Sequence, residues 1–193
     1  MSMTPAARAV YTEANIVNAL AHNTFKGALC VVPNTLWTGY EADLLVVTKN
    51  LRALDVEVKI SRTDLRADRE KGKWRSSGME RIDGRYVFTE PRPLEWPRSI
   101  FRHYYAIAAP VWRDELLADI QPASGVLTVE LWETSPANMR AGVCRIDVKR
   151  RAKSNPAAEP LELSQVVDIA RLASLRYWTA RLELDRHRAE VAA

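Results

Sequence analysis

The chain has 193 residues, of which 47% are hydrophobic and 27% charged, a length for one domain with an insertion or tail and a composition that excludes a disordered chain. Apolar runs such as 44–47 fall far short of the about 20 residues that cross a bilayer, and residues 1–5 lack the basic-then-apolar pattern of a signal peptide, so the sequence predicts a cytoplasmic protein with no membrane role. The net charge is +4 and 21 of the 28 basic residues are arginine, whose planar guanidinium fork matches phosphate; coding bias is the bland alternative.

Along the chain, 5–25 is predicted as a helix, because Val10, Glu13, Ile16, Val17 and Leu20 recur on one helical face. A short strand at 28–32 ends at Pro33-Asn34. Strands at 43–48 and 54–61, joined by the polar turn 49–53, form a hairpin. A helix over 63–74 follows, capped by Ser61 or Thr63. Residues 69–102 hold an insertion punctuated by glycine and proline, with one short strand at 85–88. Then come a strand at 103–109, a helix at 112–120, strands at 125–132 and 143–149, a linker over 150–162 and a long helix at 163–187 capped by Ser164. Interleaved helices and strands predict an α/β fold, a mixed sheet flanked by helices.

Chemistry concentrates on the hairpin. Strand 54–61 alternates, so Asp55, Glu57, Lys59 and Ser61 share one face and Val56, Val58 and Ile60 the other. With the turn centred on Leu51, Asp43 falls opposite Lys59; slid by two residues, it falls opposite Glu57. Either register gathers Asp43, Glu57 and Lys59 on one face, and a slip of one residue separates them. Two carboxylates this close repel unless a cation lies between them, and Mg²⁺ or Mn²⁺ bound there polarises a phosphodiester and activates water, with Lys59 orienting the nucleophile. Glu13, the one acid in an apolar stripe, is a further ligand candidate; the alternative is a stripe-edge residue facing water. Arg62, Arg66, Arg69 and Lys73 share one side of the predicted helix and form a stripe for a DNA backbone, or an ordinary solvated face paired with Asp64 and Asp68.

The segments Tyr40-Glu41-Ala42-Asp43-Leu44-Leu45-Val46-Val47, Asp55-Val56-Glu57-Val58-Lys59-Ile60-Ser61 and Asp64-Leu65-Arg66-Ala67-Asp68 resemble the PD-(D/E)XK nuclease superfamily, with phage-type and MmcB-like DNA-repair members the nearest in pattern. The resemblance covers about 8–68 and 103–150. It implies a restriction-endonuclease-like core in α-β-β-β-α-β order, Asp43 and Glu57 as Mg²⁺ ligands, Lys59 as the catalytic lysine and Glu13 as the first-helix glutamate near the metal. Ala42 stands where the family's proline would be, and 69–102 is a long excursion between core elements.

Other features are less directed. Cys30 and Cys144 sit in apolar stretches, as reduced thiols do. His22, His103 and His187 have no metal-ligand spacing, and Glu41 is a third ligand or a turn residue. Trp37, Trp74, Trp96 and Trp112 pack in a core or stack on unpaired bases. Leu172, Leu175, Tyr177, Trp178 and Leu182 predict burial of the last helix against the sheet, or across a homodimer. The expected function is a metal-dependent deoxyribonuclease. The rivals are a non-catalytic nucleic-acid-binding or phage accessory protein that retains the nuclease fold, whose mark is cross-strand ion pairs between Lys59 and the acids with no room for a metal, and a module that binds a protein partner through 69–102.

Overall fold

Polar side chains close off the first helix at a definite residue. In the computed structural model, which describes residues 10–76, 78–132 and 144–192, helix α1 spans Glu13–Asn23 and the Thr12 side chain accepts the Asn15 amide. Glu13 therefore lies in the first turn, exposed, rather than inside the apolar stripe. Ile16, Val17, Ala19 and Leu20 are the face that is buried. Residues 5–9 of the predicted helix, and the start of the strand predicted at 143, lie outside the described residues.

The strands are β1 (Cys30–Thr35), β2 (Ala42–Val47), β3 (Ala53–Lys59), β4 (Met79–Ile82), β5 (Arg85–Phe88), β6 (Arg102–Ala108), β7 (Gly125–Leu131) and β8 (Cys144–Arg150). Six form one mixed sheet in the order β1-β2-β3-β6-β7-β8, while β4 and β5 make a separate hairpin. Pairing is antiparallel from β1 to β3 and between β7 and β8, and parallel from β3 through β6 to β7. Two strands thus flank β3, and all seven of its residues are buried.

Each face has its own core. Under α1, Leu44, Val46, Val56, Val58, Ala106 and Val129 form the larger one. Opposite, Leu65, Trp74, Tyr105, Ile107, Trp112 and Val126 pack beneath α2 (Arg62–Ala67) and three single-turn to two-turn 3₁₀ segments. The helix predicted to reach Trp74 stops at Ala67 and gives way to 3₁₀ turns at Asp68–Glu70 and Gly72–Trp74, because Lys71 between them is extended. The helix predicted at 112–120 is likewise a 3₁₀ segment, Asp114–Asp119.

The last helix, α3 (Leu163–Ala192), packs against β1 and buries Ile169, with Leu172 and Ala173 half-buried beside it. From Ser174 on its described side chains are exposed, including Leu175, Tyr177, Trp178 and Leu182, so the predicted burial of that stretch against the sheet does not occur. Its N-terminal amide at Glu162 is satisfied by the Gln165 side chain, with Ser164 inside the helix rather than at its cap. Cys30 and Cys144 are free, half-buried thiols. Among the described residues no helix is long and apolar enough to cross a membrane.

Candidate active site

The site grows out of the two-residue period of β3. Val56 and Val58 enter the core beneath α1, so Asp55, Glu57 and Lys59 point to the other face, where all three are buried. Leu44 lies opposite Val56 and Val47 opposite Ala53, which carries Asp43 opposite Glu57 and selects that register over the one opposing Asp43 to Lys59. Ladder pairing ends at Leu44, and beyond it the Asp43 Oδ2 atom accepts the Val58 amide at 2.7 Å. Asp43 makes no ion pair among the described residues. Burial first, then the charges of Glu57 and Glu13, push its carboxyl up to about 6 against the pull of the Val58 amide and Lys59.

Glu57 has the opposite surroundings. Its Oε1 atom lies 3.0 Å from the Lys59 ammonium and also meets Lys71, and its Oε2 atom is 2.7 Å from Lys73. The same three lysines reach Asp68 at 3.2, 3.0 and 3.5 Å. Asp68 further accepts the Tyr105 hydroxyl at 2.5 Å and the Trp74 indole at 3.2 Å. Burial works to raise the Asp68 carboxyl, but Lys73, the Tyr105 hydroxyl and Lys59 together hold it well below the ordinary carboxylate range. Burial likewise works against the Lys59 charge, yet Glu57 and Asp68 outweigh it and its pKa is raised. Lys59 and Lys73 are buried; Lys71 is half-exposed.

β6 supplies the remaining wall. Its parallel register sets His103 beside Asp55 and Tyr105 beside Glu57. His103 Nε2 lies 3.4 Å from the Lys73 ammonium and Nδ1 2.9 Å from the Ser124 hydroxyl. Burial, reinforced by Lys73, lowers the imidazole pKa well below its usual value and keeps it neutral; with Lys73 charged, Nε2 is the acceptor and Nδ1 donates to Ser124. Burial raises the Asp55 carboxyl to about 7. Its Oδ2 atom accepts the Tyr40 hydroxyl at 3.1 Å, and Oδ1 has no hydrogen-bond partner among the described residues.

Two sets of donors could hold a cation. Asp55, Glu57 and His103 place one ligand atom each within 4.8 Å of one another, but the Lys73 ammonium sits among them and already fills that space. Asp43 and Glu57, opposed across the hairpin, are the other set; Glu13 acts on Asp43 through its charge, but the three carboxylates do not gather their oxygens within 4.8 Å of one another. The pair suits a hard divalent ion, because both donors are carboxylates and Asp43 makes no ion pair among the described residues. Of the lysines on Glu57, Lys71 is the one exposed enough to turn away, which leaves Oε1 to Lys59 alone.

The predicted basic stripe is broken up. Lys73 turns into the site because the chain leaves the helix after Ala67. Arg62 donates to the Val111 carbonyl at 3.3 Å, Arg66 pairs with Asp119 at 3.2 Å, and Arg69 donates to the carbonyls of Ala118 and Asp119. Arg62 and Arg66 fasten α2, and Arg69 the 3₁₀ turn after it, to the segment between β6 and β7. Of the residues singled out by sequence, the structure sets Asp43 opposite Glu57 and Lys59 against Glu57, while Glu13 reaches Asp43 only through its charge; sequence reasoning missed Asp68, Lys71, His103, Tyr105 and Tyr40 as members of the cluster. The one available signal was the alternation of His103 and Tyr105 along a strand.

No family model and no curated protein matches the chain. Among solved structures it is similar to the SPO1766 protein of unknown function from Silicibacter pomeroyi, at 16% sequence identity and a TM-score of 0.53, over 93% of this chain and 94% of that one. At that identity the likeness concerns the fold alone.

Proposed function

We propose that the chain is a metal-dependent deoxyribonuclease on a restriction-endonuclease-like core. The observation that carries the reading is the placement of Asp43 opposite Glu57, free of any ammonium and in the field of Glu13, with Lys59 in contact with Glu57. The order of α1, β1 to β3, α2 and β6 is the order that the resemblance implies.

Asp43 and Glu57 would hold Mg²⁺ or Mn²⁺, with exposed Glu13 adding negative charge beside them, and the ion would supply Lewis-acid polarisation of the phosphodiester and a lower pKa for water. The protein's own part follows from the contacts. Glu57 and Asp68 hold the Lys59 ammonium charged and in place, so it offsets charge on the phosphoryl oxygens and donates to the attacking water. Asp43 receives orientation from the Val58 amide. Hydrolysis then adds the water oxygen to phosphorus and its proton to the departing sugar oxygen.

A second reading has one observation in its favour: both oxygens of Glu57 rest on lysines, as in a non-catalytic nucleic-acid-binding protein whose charge cluster is structural. Incubation with supercoiled, linear and single-stranded DNA in Mg²⁺, Mn²⁺ or EDTA separates the two. The nuclease cleaves only with metal, and Asp43→Asn and Lys59→Ala each lower the rate by about a hundredfold or more. DNA binding without cleavage in either metal selects the second reading.

A further inference from the structure

Beside the acid and lysine cluster lies a cleft of about 580 Å³, walled by the turn between β1 and β2 and by the 71–76 segment. Its lining carries Lys71, Lys73, Arg75 and Arg98 against the carboxylate of Glu41. Lys71 and Lys73 are engaged with Glu57, which makes the cleft continuous with the proposed catalytic centre. The two arginines are not engaged in this way. Arg75 has only a 3.9 Å contact with exposed Glu70, and Arg98 makes no ion pair or hydrogen bond among the described residues. Uncommitted guanidinium groups in a concave, water-filled site are fitted to phosphate oxygens.

A second feature shares the same wall. The hairpin of β4 and β5 is rooted at Arg75 and Ser76, through the bridge from Arg75 to Pro93 and the Ser76 amide on the Arg92 carbonyl at 2.8 Å. It carries Tyr86 and Phe88, 73% and 87% exposed. Standing two residues apart on one strand, they point the same way. Two bare aromatic rings on a hairpin rooted in the wall of a cationic groove are the combination that holds an unpaired strand, with phosphates in the groove and bases on the rings.

We propose that the cleft and hairpin bind single-stranded nucleic acid, with backbone phosphates on Arg75 and Arg98 and unstacked bases on Tyr86 and Phe88. This rests on the nuclease reading and deepens it, by making an unpaired strand the form of substrate that reaches Glu57 and Lys59. A duplex is disfavoured on two counts: the cleft has the volume of a small-ligand site, and stacked bases are closed to the rings. A protein partner would use the rings but has no need of the arginines.

The test measures binding of a fluorescent oligothymidylate and of a duplex of equal length, in EDTA, so that cleavage plays no part. The single strand binds about tenfold tighter than the duplex. Arg75→Ala with Arg98→Ala weakens single-strand binding about tenfold and lowers the salt slope by about 1.4, the value for two lost phosphate contacts. Tyr86→Ala with Phe88→Ala weakens it about tenfold and leaves the salt slope unchanged. Arg145→Ala with Arg181→Ala, which removes the same charge from β8 and α3, binds as the parent does. Duplex binding equal to or tighter than single-strand binding overturns the proposal, as does parental affinity in either the arginine pair or the aromatic pair. Absence of metal-dependent cleavage alongside the expected binding pattern sinks the nuclease reading alone, and cleavage without that pattern sinks this proposal alone.

Discussion

The two faces of β3 are buried alike and held by opposite means. Toward α1, Val56 and Val58 meet Leu44, Val46 and Ala106 in an apolar core. Toward the 3₁₀ turns, Asp55, Glu57 and Lys59 meet Asp68, Lys71, Lys73 and His103. The first side loses stability in proportion to the volume removed, because its cost is a cavity. The second fails abruptly, because deleting one charge leaves its partners buried and uncompensated. A strand that serves a site therefore borrows its rigidity from the face the site does not use.

The comparison is most exposed at Lys73. Lys73→Ala leaves Glu57 Oε2 without its ammonium and should destabilise the protein by about 3–5 kcal/mol in urea unfolding; a cost below about 1 kcal/mol would show that the charged face contributes little. Leu44→Ala, on the apolar face, should cost about 2–4 kcal/mol. Measured at pH 5 and pH 8, that cost should be the same, since the buried members of that core are all aliphatic.

Asp43 sharpens the contrast through pH. Its folded carboxyl titrates near 6, above the unfolded value of 3.8, so the folded state holds the proton longer. The resulting stability is present below about pH 4 and lost as pH rises through about 6, amounting to about 2 kcal/mol after allowance for solvent screening. The difference in unfolding free energy between the parent and Asp43→Asn should fall by that amount from pH 4 to pH 7. Taking the difference cancels neutral His103, which drives the opposite trend below its usual pKa in both proteins. At pH 7.5, Mn²⁺ at a hundred times its dissociation constant should raise parental stability by about 2.7 kcal/mol, and do far less for Asp43→Asn. The smallest effect belongs to Arg66→Ala, whose exposed pair with Asp119 should be worth less than about 1 kcal/mol by thermal unfolding.

Legibility in the sequence followed the range of the interaction. Glu57 and Lys59 share a face because they are two apart on a strand, and Asp43 joins them because a hairpin turn sets the register; both facts are local. His103 and Tyr105 come from β6, and a parallel register is fixed by no turn, so their neighbours were unreadable. Lys71 and Lys73 were hidden for another reason. Helical phase put Lys73 beside Arg69, but Asp68 is drawn to three ammonium groups and Lys71 is extended, which ends the helix early and swings both lysines inward. Exposed Tyr177 and Trp178 defeated the reading of α3, because apolar content says that a face wants cover without saying what supplies it.

The parallel seating of β6 beside β3 also orders events during synthesis. A nascent chain that has emerged as far as Arg98 already carries Glu13, Asp43, Glu57, Lys59, Lys71 and Lys73, yet β3 still has a bare edge where β6 must pair. Such distant pairing raises contact order and slows folding. Until Arg102–Ala108 arrives, Glu57 and its lysines face water, and hydration competes with every contact that later orients them. Competence thus comes late, when the sheet closes around residues made long before.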